Sequence, residues 1–251
     1  PKHYIDIDIY GDSAIYTMPR KWKDAVEKYT EDTLQAYGIA PWNVYWMKYR
    51  LTEAFQKKDV RNILRLSADI GHYIGDSNVP LHTTENYNGQ MTGQYGIHGF
   101  WESRLPEIFS DDYDYFVGKA SYEDNPLDRA WQAVTGAHLA LDSVLRFERE
   151  LTEKFGEDKK FSYETRNGIN VKAYSKDFSK AFHKALNGQV ERQMQASIKM
   201  VGDFWYTCWV DAGQPDLTAL IDGIADEDLD DKEKKEIEEL KKKTKVNTRE
   251  H

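Results

Sequence analysis

The sequence contains a single cysteine, Cys208, among its 251 residues. One cysteine excludes an intrachain disulfide and a cysteine-based zinc site. Cys208 lies in the apolar run FWYTCWV, which favours a buried small side chain over a nucleophile. The sequence also lacks any run of about 18 apolar residues, the length that a membrane-spanning helix needs. We therefore expect no transmembrane helix.

Positive charge is also scarce, because 34 lysines and arginines face 43 aspartates and glutamates, for a net charge of −9. This balance argues against a broad electrostatic surface for duplex nucleic acid. It does not exclude a polyanionic substrate, because bound metal ions would supply local positive charge. A Gly-x-Ser-x-Gly motif is absent, so a serine hydrolase is not expected. The glycines at 89, 93 and 96 lack the strand–loop–helix context of a phosphate-binding loop.

Strand signals are weak along the chain, whereas apolar residues recur at helical spacing, which predicts an all-α fold. Residues 1–18 are expected to be irregular or briefly extended, and residues 83–97 to form a loop with a hairpin turn at Asn88-Gly89. Residues 157–168 are polar and are expected to form a surface excursion. The predicted helical stretches are 19–38, 41–55, 60–74, 98–109, 127–155 and 173–209.

The composition divides the sequence into two regions. Residues 1–222 are predicted to form a single, mostly helical domain, and residues 223–251 a charged extension. Within that extension, residues 226–245 are almost wholly charged, which is typical either of a solvated helix with Glu/Lys pairs or of a disordered tail. The sequence opens on Pro1-Lys2-His3 without a methionine or a signal peptide, so we expect a segment upstream of it.

Potential metal ligands are concentrated between residues 71 and 103. His72 and Asp76 are four residues apart, as are His98 and Glu102, and His82 lies between the two pairs. Residues four apart on a helix share a face, so each pair can bind one ion. Either pair alone would more often be a surface ion pair, but three histidines so close together favour a metal site. Imidazole and carboxylate are the ligands of catalytic zinc sites that lack cysteine.

The other histidines have weaker support. His3 lies near Asp6 in HYIDID, which taken alone is typical of an ordinary polar turn. His138 falls within a predicted helix and is interpreted as packed or surface-exposed. His183 and His251 have no supporting neighbours. Trp101, between His98 and Glu102, is interpreted as a core residue.

The segment HYIGDSNVPLHT followed by HGFWES resembles the zinc-dependent phospholipase C and S1/P1 nuclease superfamily. That superfamily shows H-[FY]-[IV]-x-D-x-x-x-P-L-H, then a loop with glycine and asparagine, then H-x-x-W-[DE]. The close resemblance spans residues 3–109. It implies an all-α fold of the phospholipase C/P1 nuclease type and hydrolysis of phosphodiesters by up to three zinc ions. It also implies a phospholipid headgroup or single-stranded nucleic acid as substrate, and an exported protein.

The resemblance also implies roles for particular residues. His3, in an HYID motif, would share one zinc with His72 and Asp76, and Asp76 would bridge that zinc to another. The separate, third zinc would take His82, His98 and Glu102. These residues, apart from His3, would be catalytic through the bound zinc. Glutamate at position 102 is typical of the phospholipases, and aspartate of the nucleases, so the prediction leans towards a phospholipase C with a nuclease as the alternative.

The chain also departs from the family pattern. Family members carry an N-terminal tryptophan, a histidine and an aspartate before the HYID-like motif, and the sequence starts at that motif. Only the zinc of His82, His98 and Glu102 therefore has its full ligand set in this chain. A hypothesis of a different class stays open, in which a non-catalytic, zinc-stabilised helical domain binds a phosphate-bearing ligand or partner.

Overall fold

The computed structural model describes residues 1–166 and 168–218 of the chain, so the predicted charged extension at 223–251 lies outside the described residues. The described part is mostly helical, which confirms the all-α prediction at the level of fold class. The helices are α1 (Ala14–Thr17), α2 (Trp22–Tyr29), α3 (Glu31–Tyr37), α4 (Ala40–Lys57), α5 (Val60–Ser77), α6 (Ile97–Gly99), α7 (Leu105–Phe109), α8 (Pro126–Phe155), α9 (Glu157–Lys160), α10 (Lys176–Leu186) and α11 (Gln189–Asp211).

Shorter elements complete the chain. Turns of 3-10 helix cover Ile7–Tyr10, Pro80–Thr83 and Ser110–Asp112, and a π-helical segment, Phe100–Arg104, joins α6 to α7. Strands β1 (Phe161–Arg166) and β2 (Ile169–Tyr174) form an antiparallel hairpin in which Phe161 pairs with Tyr174. None of the helices in the described ranges is both long and apolar enough to span a bilayer.

The predicted helices at 41–55, 60–74 and 127–155 are confirmed as α4, α5 and α8. Helix α5 begins at an Asp59 cap, whose carboxylate accepts a hydrogen bond from the Asn62 amide at 3.1 Å. It ends at Asn78, whose side chain donates to the Ile74 carbonyl at 2.8 Å, two residues before Pro80. A helix with both ends defined places its side chains reproducibly, which matters because α5 carries His72 and Asp76.

Several boundaries were predicted wrongly in the first 40 residues. The expected helix at 19–38 is two helices, α2 and α3, because Thr30 has a positive φ of 69° and its hydroxyl caps α3. Residues 1–18 contain a 3-10 turn and the short helix α1 rather than extended structure. Apolar and polar residues alternate at positions 5–8 of this segment, and the two apolar ones, Ile5 and Ile7, are both buried.

The hairpin is the other correction. The polar surface excursion expected at 157–168 contains strand β1, and β2 follows it. The helical stretch expected at 173–209 begins after β2 and consists of two helices, α10 and α11. Within the described residues the strands pair with each other alone, and their sequence lacks the apolar alternation of a core sheet. Tyr174 supplies the packing instead, since its ring stacks on Phe100 with centroids 3.7 Å apart. The predicted Asn88-Gly89 turn is present, but no strands flank it.

Three apolar clusters support the elements that carry the candidate ligands. One fixes the N-terminal segment through Ile5 and Ile7 against Trp42 and Trp131. A second joins α4, α5, α8 and α11, and includes Cys208, which is fully buried as predicted. A third surrounds Phe100 and connects the helical stretch 97–109 to α8, the hairpin and α10. The candidate site lies where these supported elements meet.

Candidate metal centre

The six predicted ligands come from five separate parts of the chain. His3 lies in the N-terminal segment, His72 and Asp76 lie one turn apart on α5, and His82 lies in the 3-10 turn Pro80–Thr83. His98 lies in α6, and Glu102 in the π-helical segment that follows it. The fold brings these residues into two adjacent groups, each of which can hold a metal ion. The groups are His3, His72 and Asp76, and His82, His98 and Glu102.

In the first group, two imidazoles converge on one buried carboxylate oxygen. Nδ1 of His3 and Nε2 of His72 each lie 3.3 Å from Oδ2 of Asp76. The Asp76 side chain is only 9% exposed, yet Oδ2 accepts no hydrogen bond from the described residues. A buried carboxylate oxygen without a hydrogen bond is costly, so this atom is suited to binding a cation.

In the second group, Glu102 is the shared partner. Its Oε2 atom lies 2.7 Å from Nε2 of His98 and 3.7 Å from Nε2 of His82. The adjacent His82 and the hydrogen bond with His98 hold the pKa of the Glu102 carboxyl far below its usual range. Glu102 is therefore ionised at neutral pH, as a metal ligand must be.

The two groups adjoin each other. Nε2 of His82 lies 4.0 Å from Oδ1 of Asp76, and the His3 and His82 rings have centroids 5.3 Å apart. Asp76 thus offers one oxygen to each group. The arrangement is a single centre of six residues with capacity for more than one ion.

Burial shifts the pKa values of His3 and Asp76 in the first group. Burial and the nearby His82 lower the pKa of His3, which favours the neutral imidazole that metal binding requires. Burial raises the pKa of Asp76, while His82, His72 and His3 oppose that effect. Burial also raises the pKa of Asp6, a neighbour of the centre, to about 7, and Asp8 and Glu85 contribute to this shift.

Contacts around the ligands were not visible in the sequence. Nδ1 of His98 lies 3.2 Å from the Tyr87 carbonyl, so Nδ1–H donates to that oxygen and Nε2 faces Glu102. Because Tyr87 acts through its backbone, no side-chain pattern signals this role. His138 lies outside both groups and contacts the carbonyl and hydroxyl of Thr83, at 3.2 and 3.1 Å. It therefore supports the turn that carries His82.

Two further histidines, Trp101 and Cys208 were also singled out in the sequence. His183 contacts the Tyr113 hydroxyl at 2.9 Å, away from the centre, and His251 lies outside the described residues. Trp101 is buried, as predicted, and its indole donates to Gln189 at 3.1 Å. Burial raises the pKa of the Cys208 thiol to about 11, which argues against a nucleophilic role.

A cavity of about 340 Å³ adjoins the centre and reaches His72, Asp76 and Glu102. Beyond these ligands its walls come from the end of α5, the helical stretch 97–109 and α11. Most of the side chains that line it there are apolar, namely Val79, Trp101, Pro106, Val190, Met194 and Ile198. The centre therefore opens onto an apolar recess.

We compared the chain with protein-family models, curated proteins and solved structures, and nothing matched. The capacity for metal binding therefore rests on the geometry of these six residues.

Proposed function

We propose that the chain is a zinc-dependent phosphodiester hydrolase of the phospholipase C type. The observation that carries this proposal is the pairing of two ligand groups that adjoin at Asp76 and His82, with Oδ1 of Asp76 4.0 Å from Nε2 of His82. Adjacent ions clamp both the attacking and the leaving oxygens in the hydrolysis of phosphate esters. The resemblance of residues 3–109 to the phospholipase C and S1/P1 nuclease superfamily supports the same conclusion.

The donor set fits zinc. Four imidazoles and two carboxylates, without cysteine, match the ligands that zinc takes in catalytic sites. Three protein ligands in each group leave coordination positions for water or substrate. Zinc supplies Lewis acidity towards a phosphoryl oxygen and lowers the pKa of a nearby water. The protein holds the ligands in place, keeps His98 in one orientation through Tyr87, and presents a mostly apolar cavity beside the centre.

The surroundings favour a lipid over a nucleic acid. The cavity beside Asp76 and Glu102 is mostly apolar, which suits an uncharged apolar substituent of the phosphodiester. The acidic side chains of Asp8 and Glu85 lie at the start of the loop at 83–97 and would repel a polyanionic strand. A single-strand nuclease of the S1/P1 type remains the second candidate, because the same six ligands serve either substrate.

The test combines metal analysis with two substrates. We expect the purified protein to contain zinc and to cleave phosphatidylcholine faster than single-stranded DNA, and we expect EDTA to abolish the cleavage. Faster cleavage of DNA would reverse the choice of substrate. Zinc binding without chelator-sensitive cleavage of either substrate would contradict the enzyme and support the non-catalytic binding domain.

A further inference from the structure

The loop between His82 and His98 is held in one shape by its own side chains. Oδ1 of Asn86 accepts a hydrogen bond from the Met91 amide at 2.8 Å, and its Nδ2 atom donates to the Thr92 hydroxyl at 3.0 Å. Oδ1 of Asn88 accepts from the Gly96 amide at 3.1 Å. Such a loop moves as a unit, so whatever fixes its ends also fixes its middle.

The N-terminal end of the loop is attached to Asp8, far away in sequence. Oδ2 of Asp8 accepts from the Thr84 hydroxyl at 2.6 Å, and Oδ1 accepts from the Glu85 amide at 3.1 Å. Both bonds involve a carboxylate acceptor, which makes them stronger than neutral hydrogen bonds. The same Thr84 hydroxyl accepts from the Asn86 amide at 3.0 Å, which connects Asp8 to the interior of the loop.

The C-terminal end is attached to α8 through Gln94. Its amide nitrogen donates to the Leu145 carbonyl at 2.8 Å and to Oε2 of Glu148 at 2.5 Å. Gln94 and Glu148 are both buried, and Lys160, 2.8 Å from Oε1 of Glu148, balances that charge. A bond between two buried polar groups is costly to break, so this attachment is firm.

Between the two attachments, the loop contacts a metal ligand through the Tyr87 carbonyl, which accepts from Nδ1–H of His98. We propose that Asp8 and Gln94 are positioning residues, which hold the loop so that Tyr87 keeps Nε2 of His98 directed at the metal. This inference rests on the proposed metal centre. It concerns the ion bound by His82, His98 and Glu102. Asp8 affects this ion through the loop and not through a contact with one of its ligands.

The test uses Asp8→Ala, with Asp12→Ala as the control because Asp12 is another exposed carboxylate in the same segment. Titration with Co²⁺ gives the affinity of each ion, and His98→Ala identifies the one bound by the second group. We expect Asp8→Ala to lower the affinity for that ion about 10- to 100-fold, the usual effect of losing an outer-shell contact. The ion bound by His3, His72 and Asp76 should keep its affinity, as should both ions in Asp12→Ala. Asp8→Asn, which keeps one acceptor oxygen, should show an intermediate loss.

A second readout does not depend on metal. The imidazole Nδ1–H proton of His98 should give an NMR signal that is protected from exchange in the wild-type protein and in Asp12→Ala. In Asp8→Ala this signal should broaden or disappear while far-UV circular dichroism stays unchanged. An unchanged signal, unchanged affinities or an equal loss of affinity for both ions would overturn the role of Asp8. If the wild-type protein binds metal but cleaves no phosphodiester, the proposed function fails and the role of Asp8 is still tested by both readouts.

Discussion

Asp76 lies between the two ligand groups, with Oδ2 3.3 Å from Nε2 of His72 and Oδ1 4.0 Å from Nε2 of His82. Asp76 thus approaches both groups, each through a different oxygen. Its burial is unfavourable for a carboxylate in the absence of a cation, because Oδ2 accepts no hydrogen bond from the described residues. Functional centres often retain such an unfavourable interaction, which lowers the stability of the folded protein.

Replacing this carboxylate should therefore separate metal binding from stability. In Asp76→Asn we expect the ion of the first group to be lost, and the metal-free protein to be as stable as the wild type or more stable. Isothermal titration with zinc and urea unfolding in EDTA measure the two effects. Asp69→Asn is the matched control, since Asp69 is a half-buried acid on the same helix, in an ion pair with Arg65. Retained binding in Asp76→Asn would contradict its role as a ligand.

His98→Ala distinguishes a catalytic from a structural metal. If the second group is catalytic, the variant should lose zinc from that group and at least 100-fold in activity, because losing a ligand exceeds the roughly 10- to 100-fold cost of losing an outer-shell partner. Its thermal unfolding should remain cooperative, since the hydrophobic clusters are untouched. His183→Ala, at a histidine remote from the centre, should retain both zinc and activity. Unfolding of His98→Ala would instead indicate a structural zinc.

The raised pKa of Asp6 predicts a pH dependence of stability in the metal-free protein. Asp6 has a pKa of about 7 in the folded state, against an ordinary value near 3.8, so the folded state binds more protons between these values. Stability should therefore fall as pH rises from about 4 to about 7. Asp6→Asn should remove that fall and gain about 1–4 kcal/mol at pH 8, with little effect at pH 4. Urea unfolding at both pH values measures this, and an equal effect at both would refute the raised pKa.

Gly38 determines how close the His3 segment can lie to α3. It has a φ of +96°, and a Cβ atom there would overlap the backbone carbonyl of Tyr4, the neighbour of His3. We expect Gly38→Ala to destabilise the protein by about 1–3 kcal/mol or more and to weaken the ion of the first group. Gly11→Ala is the control, because Gly11 has a φ of +105° but no atoms near the added methyl. A similar effect of both variants on metal affinity would show that the Tyr4 contact is unimportant.

The sequence predicts the helical part of this fold well, because α4, α5 and α8 have both apolar periodicity and end signals. It fails where the decisive interactions come from elsewhere in the chain. The hairpin at 161–174 depends on Tyr174 stacking against Phe100, and no local pattern encodes that contact. The break at Thr30 interrupts a helical period that continues on either side of it.

The same limit applies to the centre. Side-chain type and spacing indicate five of the six candidate ligands, and the family resemblance adds His3. The structure brings all six together in the two groups that the resemblance implies. The residues around the ligands escape prediction, because Tyr87 acts through its carbonyl and Asp8 through a contact with Thr84 across 76 residues of chain. Positioning contacts of this kind depend on the folded path of the backbone, which one sequence alone does not specify.

Anomalous scattering at the zinc edge, from crystals grown with zinc, tests the central claim most directly. We expect two strong peaks, each about 2.0–2.2 Å from its ligand atoms, one between His3, His72 and Asp76 and the other between His82, His98 and Glu102. A protein crystallised with zinc that shows no peak at either group would contradict it.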